Sequence, residues 1–315
     1  MVAASGNSAP LVSITSAFYN TGPVLLEMVK SVLAQTFQDF ELVLLDDGST
    51  DGSRALAESI VDPRVRVFTN GRNLGRSVSL NRLTGLARGK YIARMDSDDM
   101  CAPTRIQKQV ELMEAGRELD AVGTGMMYLD RAGQPLGDWY ANPSQAVICR
   151  QPRRIIGLAH GSMLARRAWL AKYRYDETLK LAVDYSLLLR AYRESRFSNV
   201  PEPLYYYRFD PSFSLKKQFR TRRMVARFLY ADCRRAGRLD QAVWHWLIQY
   251  GKFAATTLMF ATGWRSRLMA RRFKALSGAE RAAYDAELEK IRSLPLTLRP
   301  GCQRAELVAE SRPEG

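Results

Sequence analysis

Histidine is almost missing from this sequence: His160 and His245 are the only two in 315 residues. Zinc motifs built on histidine pairs are therefore excluded. The four cysteines, Cys101, Cys149, Cys233 and Cys302, lie far apart with no Cys-x-x-Cys pair. They suggest neither a cysteine zinc site nor a disulfide framework, and suit a reducing compartment. Any metal should then be a hard one, magnesium or manganese, held by oxygen. No Gly-x-Gly-x-x-Gly follows the first strand-like segment and no Gly-Lys-Ser/Thr phosphate loop occurs, which excludes dinucleotide oxidoreductases and P-loop NTPases. Long apolar runs are lacking too. The stretch from Ala242 to Trp264 is broken by His245, Gln249 and Lys252, and Phe253 to Gly263 is too short to cross a bilayer. Residues 1–10 form a small, polar, flexible start without the basic and apolar regions of a signal peptide, so the expected location is cytoplasmic.

Acidic residues are outnumbered, 32 against 47 lysines and arginines, for a formal charge of +15. An anionic partner is implied: phosphate groups, nucleic acid or an acidic membrane face. With 46% hydrophobic residues the chain can bury a substantial core, as one large domain with an appendage or as two domains.

The first third alternates two periodicities. Leu11 to Ala17, Phe40 to Leu45, Val65 to Phe68 and Tyr91 to Met95 read as strands; Val24 to Gln35, Ser53 to Ser59 and Arg76 to Ala87 read as helices. This order predicts an α/β fold with a Rossmann-like, mostly parallel sheet flanked by helices, whose ligands gather beyond the carboxyl ends of the strands. Three polar clusters stand at those ends: Phe18-Tyr19-Asn20, Asp46-Asp47-Gly48 and Asp96-Ser97-Asp98-Asp99. Farther on, Asp130 to Gly133 signals a hairpin, His160 to Leu164 looks strand-like, Asp184 to Tyr192 helical, and Leu204 to Phe209 extended.

Asp96-Ser97-Asp98 puts two carboxylates one residue apart, where both can approach a divalent cation; a solvated turn is the alternative. An EF-hand is excluded, since Cys101 stands at its glycine position and Gln107 at its bidentate glutamate position. In Asp46-Asp47-Gly48-Ser49-Thr50-Asp51, capping accounts for one or two side chains but not for the paired aspartates; a carboxylate there can accept from a base N–H or a ribose hydroxyl.

The stretch Val12 to Leu112 resembles family 2 glycosyltransferases of the GT-A fold. The likeness runs through Ser16-Ala17-Phe18-Tyr19-Asn20, Leu44-Leu45-Asp46-Asp47-Gly48-Ser49-Thr50-Asp51, Asn73-Leu74-Gly75, Ala87-Arg88-Gly89-Lys90-Tyr91, Arg94-Met95-Asp96-Ser97-Asp98-Asp99 and Pro103-Thr104-Arg105. The resemblance implies an inverting transfer of one sugar from a nucleotide-diphosphate donor, UDP-linked in most of the family, to a saccharide or lipid-linked acceptor. By the same resemblance Ala17 and Tyr19 line the nucleotide pocket and Asp47 binds the base. Asp96 and Asp98 hold ribose-diphosphate and an Mn2+ or Mg2+ ion, and Arg72 or Arg76 assists. Asp184, in Ala182-Val183-Asp184-Tyr185, aligns with the general base; Val183 departs from the usual glutamate. His160 resembles a position near acceptor and diphosphate. Asp99 and Arg208 are candidates for the same contacts, with a structural ion pair as the alternative for Arg208.

The resemblance divides the chain into a nucleotide-sugar half over 11–125, an acceptor half over 126–215, and a basic helical region over 216–315. In that last region, cations from Lys216 to Lys274 face only Asp232 and Asp240. With Trp244, Trp246 and Trp264 among them, they predict either a cap with a solvated basic face or a helix lying on an anionic membrane at the inner face of the cell. No nucleic-acid module is recognisable. A sugar nucleotidyltransferase would need a glycine-rich loop where Asn20-Thr21-Gly22-Pro23 stands. A non-catalytic binding protein is the further alternative if Val183 marks a decayed acceptor site. Oligomeric state is not legible.

Overall fold

The computed structural model describes residues 9–153, 155–209, 215–235, 237–262 and 274–300. Most of the expected flexible start, together with Trp264 and Cys302, lies outside the described residues. The chain opens with β1 (Val12–Phe18), α1 (Val24–Leu33), β2 (Phe40–Asp46), α2 (Ser53–Glu58), β3 (Val65–Thr69), α3 (Arg76–Leu86) and β4 (Tyr91–Arg94). The four strands pair in parallel, in the order β4-β1-β2-β3. From Leu42 to Leu45, β2 reads as an unbroken apolar run because both its faces are covered. Leu42 and Leu44 join the layer containing Val29 and Ile106, while Val43 and Leu45 join that containing Leu80 and Leu187.

After β5 (Met100–Cys101) and α4 (Arg105–Ala115), the sheet becomes mixed. β6 (Ala121–Leu129) and β7 (Pro135–Trp139) form an antiparallel hairpin, turned where Gln134 N donates to Asp130 Oδ1 at 2.8 Å. Then come α5 (Gln145–Ile148), β8 (Leu164–Arg166), α6 (Arg167–Tyr173), α7 (Val183–Ala191) and β9 (Phe197–Arg208). Parallel pairing is therefore concentrated where crossover helices exist, and β6 spans the boundary expected at 125. The strand-like reading of His160 to Leu164 is corrected: His160–Ser162 is a 3-10 turn, and only Leu164 onward is a strand. The Ser162 hydroxyl closes the turn on Ala159 O at 3.0 Å, and Gly161 lies so close to the Tyr205 ring that a Cβ there would approach Tyr205 Oη to 2.7 Å.

The region after residue 215 has two parts. α8 (Leu215–Arg235) and α9 (Leu239–Ala261) pack against each other as a hairpin. The chain then returns to the sheet: β10 (Lys274–Ala275) pairs with β7, and α10 (Gly278–Arg292), started by a Ser277–Glu280 capping box, packs on α1. Arg292 Nε meets Glu27 at 3.1 Å, and Ile60 bridges to Leu298.

At the sheet's other edge, Glu41 is buried between cations. It accepts from Ser13 Oγ at 2.6 Å, Arg66 Nη1 at 2.7 Å and Arg88 N at 2.8 Å. Burial pushes its carboxyl up, but the hydrogen bonds from Ser13, Arg66 and Arg88 outweigh burial and hold it below the ordinary range. A lowered folded pKa stabilises above the unfolded value and is lost as pH falls through the folded one. Glu41→Gln should therefore lower stability by about 3 kcal/mol at neutral pH and flatten the loss of stability below roughly pH 4.5. Urea titrations at pH 7 and pH 4 check both.

Candidate active site

The ends of β1, β2 and β4 meet at one edge of the sheet. Phe18 and Asp46 are register partners, and Asp47 N donates to Phe18 O at 2.8 Å. Asn20, in the left-handed region at φ 50°, lies across the next loop: its N–H donates to Ser49 Oγ at 3.0 Å and its Oδ1 accepts from Thr50 N at 2.8 Å. Thr21 Oγ1 and Ser97 Oγ, 2.9 Å apart, join the first loop to the Asp96–Asp98 loop. Tyr19 stands out from this edge, 48% exposed, beside the partly buried Ala17.

The paired aspartates have separate duties. Asp46 closes its own turn, accepting from Ser49 N at 2.8 Å and Thr69 Oγ1 at 3.0 Å. Asp47 clasps the loop after β3, accepting from Asn70 Nδ2 at 2.6 Å and from the N–H groups of Leu74 and Gly75, each at 3.0 Å. An ionised carboxylate has about four acceptor positions, so Asp47 keeps about one for a ligand. Gly48 makes this docking possible. Its φ is +81°, and a Cβ would lie 2.5 Å from the backbone of Arg72. Arg72 itself is exposed beside the site.

Asp96 sits between two guanidinium groups. Arg94 grips it through Nη1 at 2.9 Å and through Nη2, while Arg76 Nη2 approaches at 2.7 Å. Burial opposes ionisation, but the charges of Arg94 and Arg76 outweigh it and hold the carboxyl far below its usual range. Arg94 was not visible as a site residue in the sequence. The available signal was a charge inside an otherwise apolar strand, two residues before Asp96 and hence on the same face.

Asp98 is different. Its carboxylate reaches solvent, and among the described residues no other side chain or amide donates to it. Crowding by protein, then the neighbouring Asp96 charge, push its carboxyl above the ordinary range. A carboxylate disfavoured by its own surroundings fits a divalent cation, which removes that penalty. Asp96 adds a further oxygen only by sharing it, since both its oxygens accept from Arg94 and Oδ1 accepts from Arg76 as well. Protein carboxylates number too few for a closed cage, since among the described residues no group of three or more potential ligands occurs. Magnesium and manganese sites completed by substrate phosphates have this form.

Asp184 opens α7, which starts from Ala182 in the left-handed conformation at φ 52° without a side-chain cap. Such backbone strain in a residue with a Cβ persists only where the surroundings enforce it. The 175–179 segment before α7 is pinned to α3: Asn81 Nδ2 donates to Tyr175 O at 2.9 Å, and Ser77 Oγ to Leu179 O at 2.9 Å. Tyr175 Oη lies 2.8 Å from His160 Nε2. Burial raises the Tyr175 hydroxyl, with Arg94, Arg76, Asp184 and Asp96 all acting on it. Tyr175 therefore lies within electrostatic reach of both Asp184 and the Arg76–Asp96 cluster. Burial first, then Arg94 and Arg76, depress His160 well below the usual range, so its imidazole is neutral.

Two expectations need correction. Asp99 is buried, accepting from Tyr205 Oη at 2.6 Å and Arg208 N at 2.7 Å. The Arg208 guanidinium is committed to Asp98 O at 3.0 Å, Arg131 O at 2.9 Å and Glu27 Oε2 at 3.1 Å. Both hold the loop from behind, because the antiparallel β5–β9 pairing sets Met100 opposite Tyr206 and Cys101 opposite Tyr205, directly after the loop. Tyr205, which also accepts from Asp96 N at 3.1 Å, is a positioning residue the sequence did not single out from its tyrosine neighbours.

This arrangement has known counterparts. The family model described as Glycosyl transferase family 2 matches residues 13–174, about half the chain. EpsE of Bacillus subtilis (strain 168), named as a glycosyltransferase, is 32% identical over 237 residues, covering 73% of this chain and 84% of that protein. Among solved structures, residues 1–349 of S. aureus TarS in complex with UDP-GlcNAc superpose with a TM-score of 0.60 at 21% identity, covering 79% of this chain and 74% of that one. The mannosyltransferase PcManGT from Pyrobaculum calidifontis, in complex with GDP-Man and Mn2+, gives 0.54 at 17%, covering 90% and 86%. At these identities the structural likeness carries the fold alone.

Proposed function

The chain belongs to glycosyl transferase family 2, and from that premise we propose that it transfers a single sugar, with inversion, from a nucleotide-diphosphate donor to a saccharide or lipid-linked acceptor. A UDP-sugar is the donor we favour, in the assembly of a cell-surface polysaccharide. The observation that carries the reading is Asp98, a carboxylate to which no other described residue donates, beside the arginine-clamped Asp96; the charges of Asp184 and Asp96 both act on the buried Tyr175 hydroxyl.

Ala17 and Tyr19 border the nucleotide, while Asp47 keeps the loop bearing Arg72 in place and uses its remaining acceptor position on the base or ribose. Asp98, with Asp96 in part, holds a divalent cation. When bound, that cation supplies charge neutralisation on the departing diphosphate. Arg76 adds positive charge on the same side. Asp184 accepts the proton of the acceptor hydroxyl as its oxygen bonds to the anomeric carbon and the bond to the diphosphate oxygen breaks. A carboxylate is too weak a base to remove that proton beforehand, so transfer and bond formation are concerted. Attack from the face opposite the leaving group inverts the centre.

Thermal-shift screening of nucleotide sugars, with and without Mn2+, tests the reading. A donor at 100-fold its Kd should stabilise the protein by about 2.7 kcal/mol, and more weakly without the metal. No shift with any donor in either condition would sink it. A sugar nucleotidyltransferase would instead release pyrophosphate from a nucleoside triphosphate and a sugar phosphate.

We place the enzyme at the inner face of the cytoplasmic membrane through α8 and α9. No helix among the described residues is long and apolar enough to cross a membrane. Yet α9 turns Val243, Trp244, Leu247 and Leu258 to solvent, with Trp244 62% and Leu258 65% exposed. α8 beside it exposes Lys216, Arg220, Arg223, Arg227 and Arg234. Apolar and basic groups together suit an anionic bilayer surface. The protein should float with liposomes containing anionic lipid and stay behind with neutral ones; equal behaviour in both contradicts this placement.

A further inference from the structure

α9 is oriented against the usual rule. Its apolar stripe faces outward, while Arg238 just before it and His245, Gln249 and Lys252 along it, at steps of seven, four and three residues, share the face turned toward the catalytic body. Between that face and the end of α7 lies a cavity of about 580 Å3. Arg153, Arg193, Arg238, His245 and Lys252 line it, and among the described residues no carboxylate does. Arg153 is committed to Asp232 at 2.9 Å and Gln241 at 2.8 Å. Arg193 and Arg238 make no salt bridge among the described residues. Burial first, then Arg153 and Lys252 against the opposing charge of Asp232, depress the His245 imidazole.

We propose that this cleft binds the phosphate group of a phosphate ester, the acceptor substrate. Converging cations in a cavity without a carboxylate select a compact, multiply charged anion. The volume exceeds what a free inorganic anion fills, and Pro152, Tyr192 and Ile248 supply apolar wall for the remainder of the ligand. α7 links the cleft to the chemistry. Asp184 stands in its first turn and Arg193 just past its end, about 13 Å farther along at 1.5 Å per residue. A phosphate in the cleft thus anchors an acceptor whose hydroxyl lies at Asp184. The apolar wall of Pro152, Tyr192 and Ile248 favours a lipid phosphate over a soluble sugar phosphate. The assignment rests on the transfer reaction proposed above.

Titration calorimetry in metal-free buffer tests it, with geranyl monophosphate, glucose 1-phosphate and inorganic phosphate as probes. The full chain is compared with Arg193→Glu/Arg238→Glu and with Arg117→Glu/Lys290→Glu, exposed positions outside the cleft with the same change of charge. Geranyl monophosphate should bind the parent chain, at least 10-fold more weakly the Arg193→Glu/Arg238→Glu double variant, and unchanged the Arg117→Glu/Lys290→Glu protein. Tighter binding of glucose 1-phosphate than of geranyl monophosphate, with the same loss in the double variant, keeps the cleft and makes the source a soluble sugar phosphate. Equal affinity in parent and double variant, or binding of none of the three probes, overturns the proposal. Should the double variant not fold, Arg238→Gln replaces it, with an expected weakening of about 3-fold. Nucleotide-sugar thermal shifts measured on the same proteins separate failure of the cleft from failure of the donor reading.

Discussion

Asp184→Asn should lower kcat by about 10²- to 10⁴-fold, the range a positioned acid–base group contributes, while leaving donor affinity unchanged. Asparagine matches aspartate in size and keeps an oxygen at the start of α7, but it has no basic site for the acceptor's proton. The loss corresponds to about 3 to 5 kcal/mol of transition-state stabilisation. Helix capping is the competing role for Asp184. A carboxylate in the first turn contributes only about 0.3 to 1 kcal/mol to stability through the helix dipole. The two roles therefore separate: a catalytic Asp184 loses turnover with a nearly unchanged melting temperature, whereas a capping one loses a little stability and keeps turnover. Steady-state kinetics beside a melting curve decide it, and near-normal turnover in Asp184→Asn would remove the general base from the proposal.

Asp98→Asn should abolish the metal dependence of donor binding and, in metal-free buffer, raise the melting temperature. The second effect follows from sign. The folded protein holds the Asp98 carboxyl above its unfolded value, through crowding and the Asp96 charge, so the folded state binds the proton more tightly. Ionised Asp98 therefore opposes folding at neutral pH, and that opposition fades as pH falls through the raised value. An amide removes the charge and keeps the shape. A bound cation reverses the situation in the parent chain, because it competes with the proton; Mn2+ affinity should weaken on acidification and its binding should release protons. Calorimetry of Mn2+ with nucleoside diphosphate present, in buffers of different ionisation enthalpy, measures both. Loss of the metal should cost several kcal/mol of charge stabilisation on the leaving diphosphate. A residue whose replacement improves the fold and removes ligand binding is kept for function.

Much of the first half was legible because its signals are local. An apolar run in Leu42 to Leu45 and an apolar helical period in Val24 to Gln35 depend on neighbours a few residues away, and the observed elements differ by one or two residues. The rule that ligands collect at strand ends then brought Asn20, Asp47 and Ser97 to one edge before any coordinates. Asp99 and Arg208 were less legible. Adjacent aspartates look alike in sequence, yet Asp99 points inward to Tyr205 while Asp98 reaches solvent, and a partner 106 residues away decides which is which. The return of residues 274–300 was invisible for the same reason, since its contacts with β7, α1 and the Ile60 segment join distant parts of the chain.

By itself the sequence determined the element order of the first half, the carboxylates at its strand ends and the excess of positive charge, all consequences of composition and short spacing. Tertiary structure alone decided that Arg94 and Arg76 hold Asp96 ionised while no other described residue donates to the Asp98 carboxylate. It also decided that Asp47 is largely spent on the 70–75 loop and that α9 turns its apolar side outward. Each of these depends on which groups long-range packing brings within hydrogen-bonding or Coulombic reach, and residue type and spacing carry no record of that.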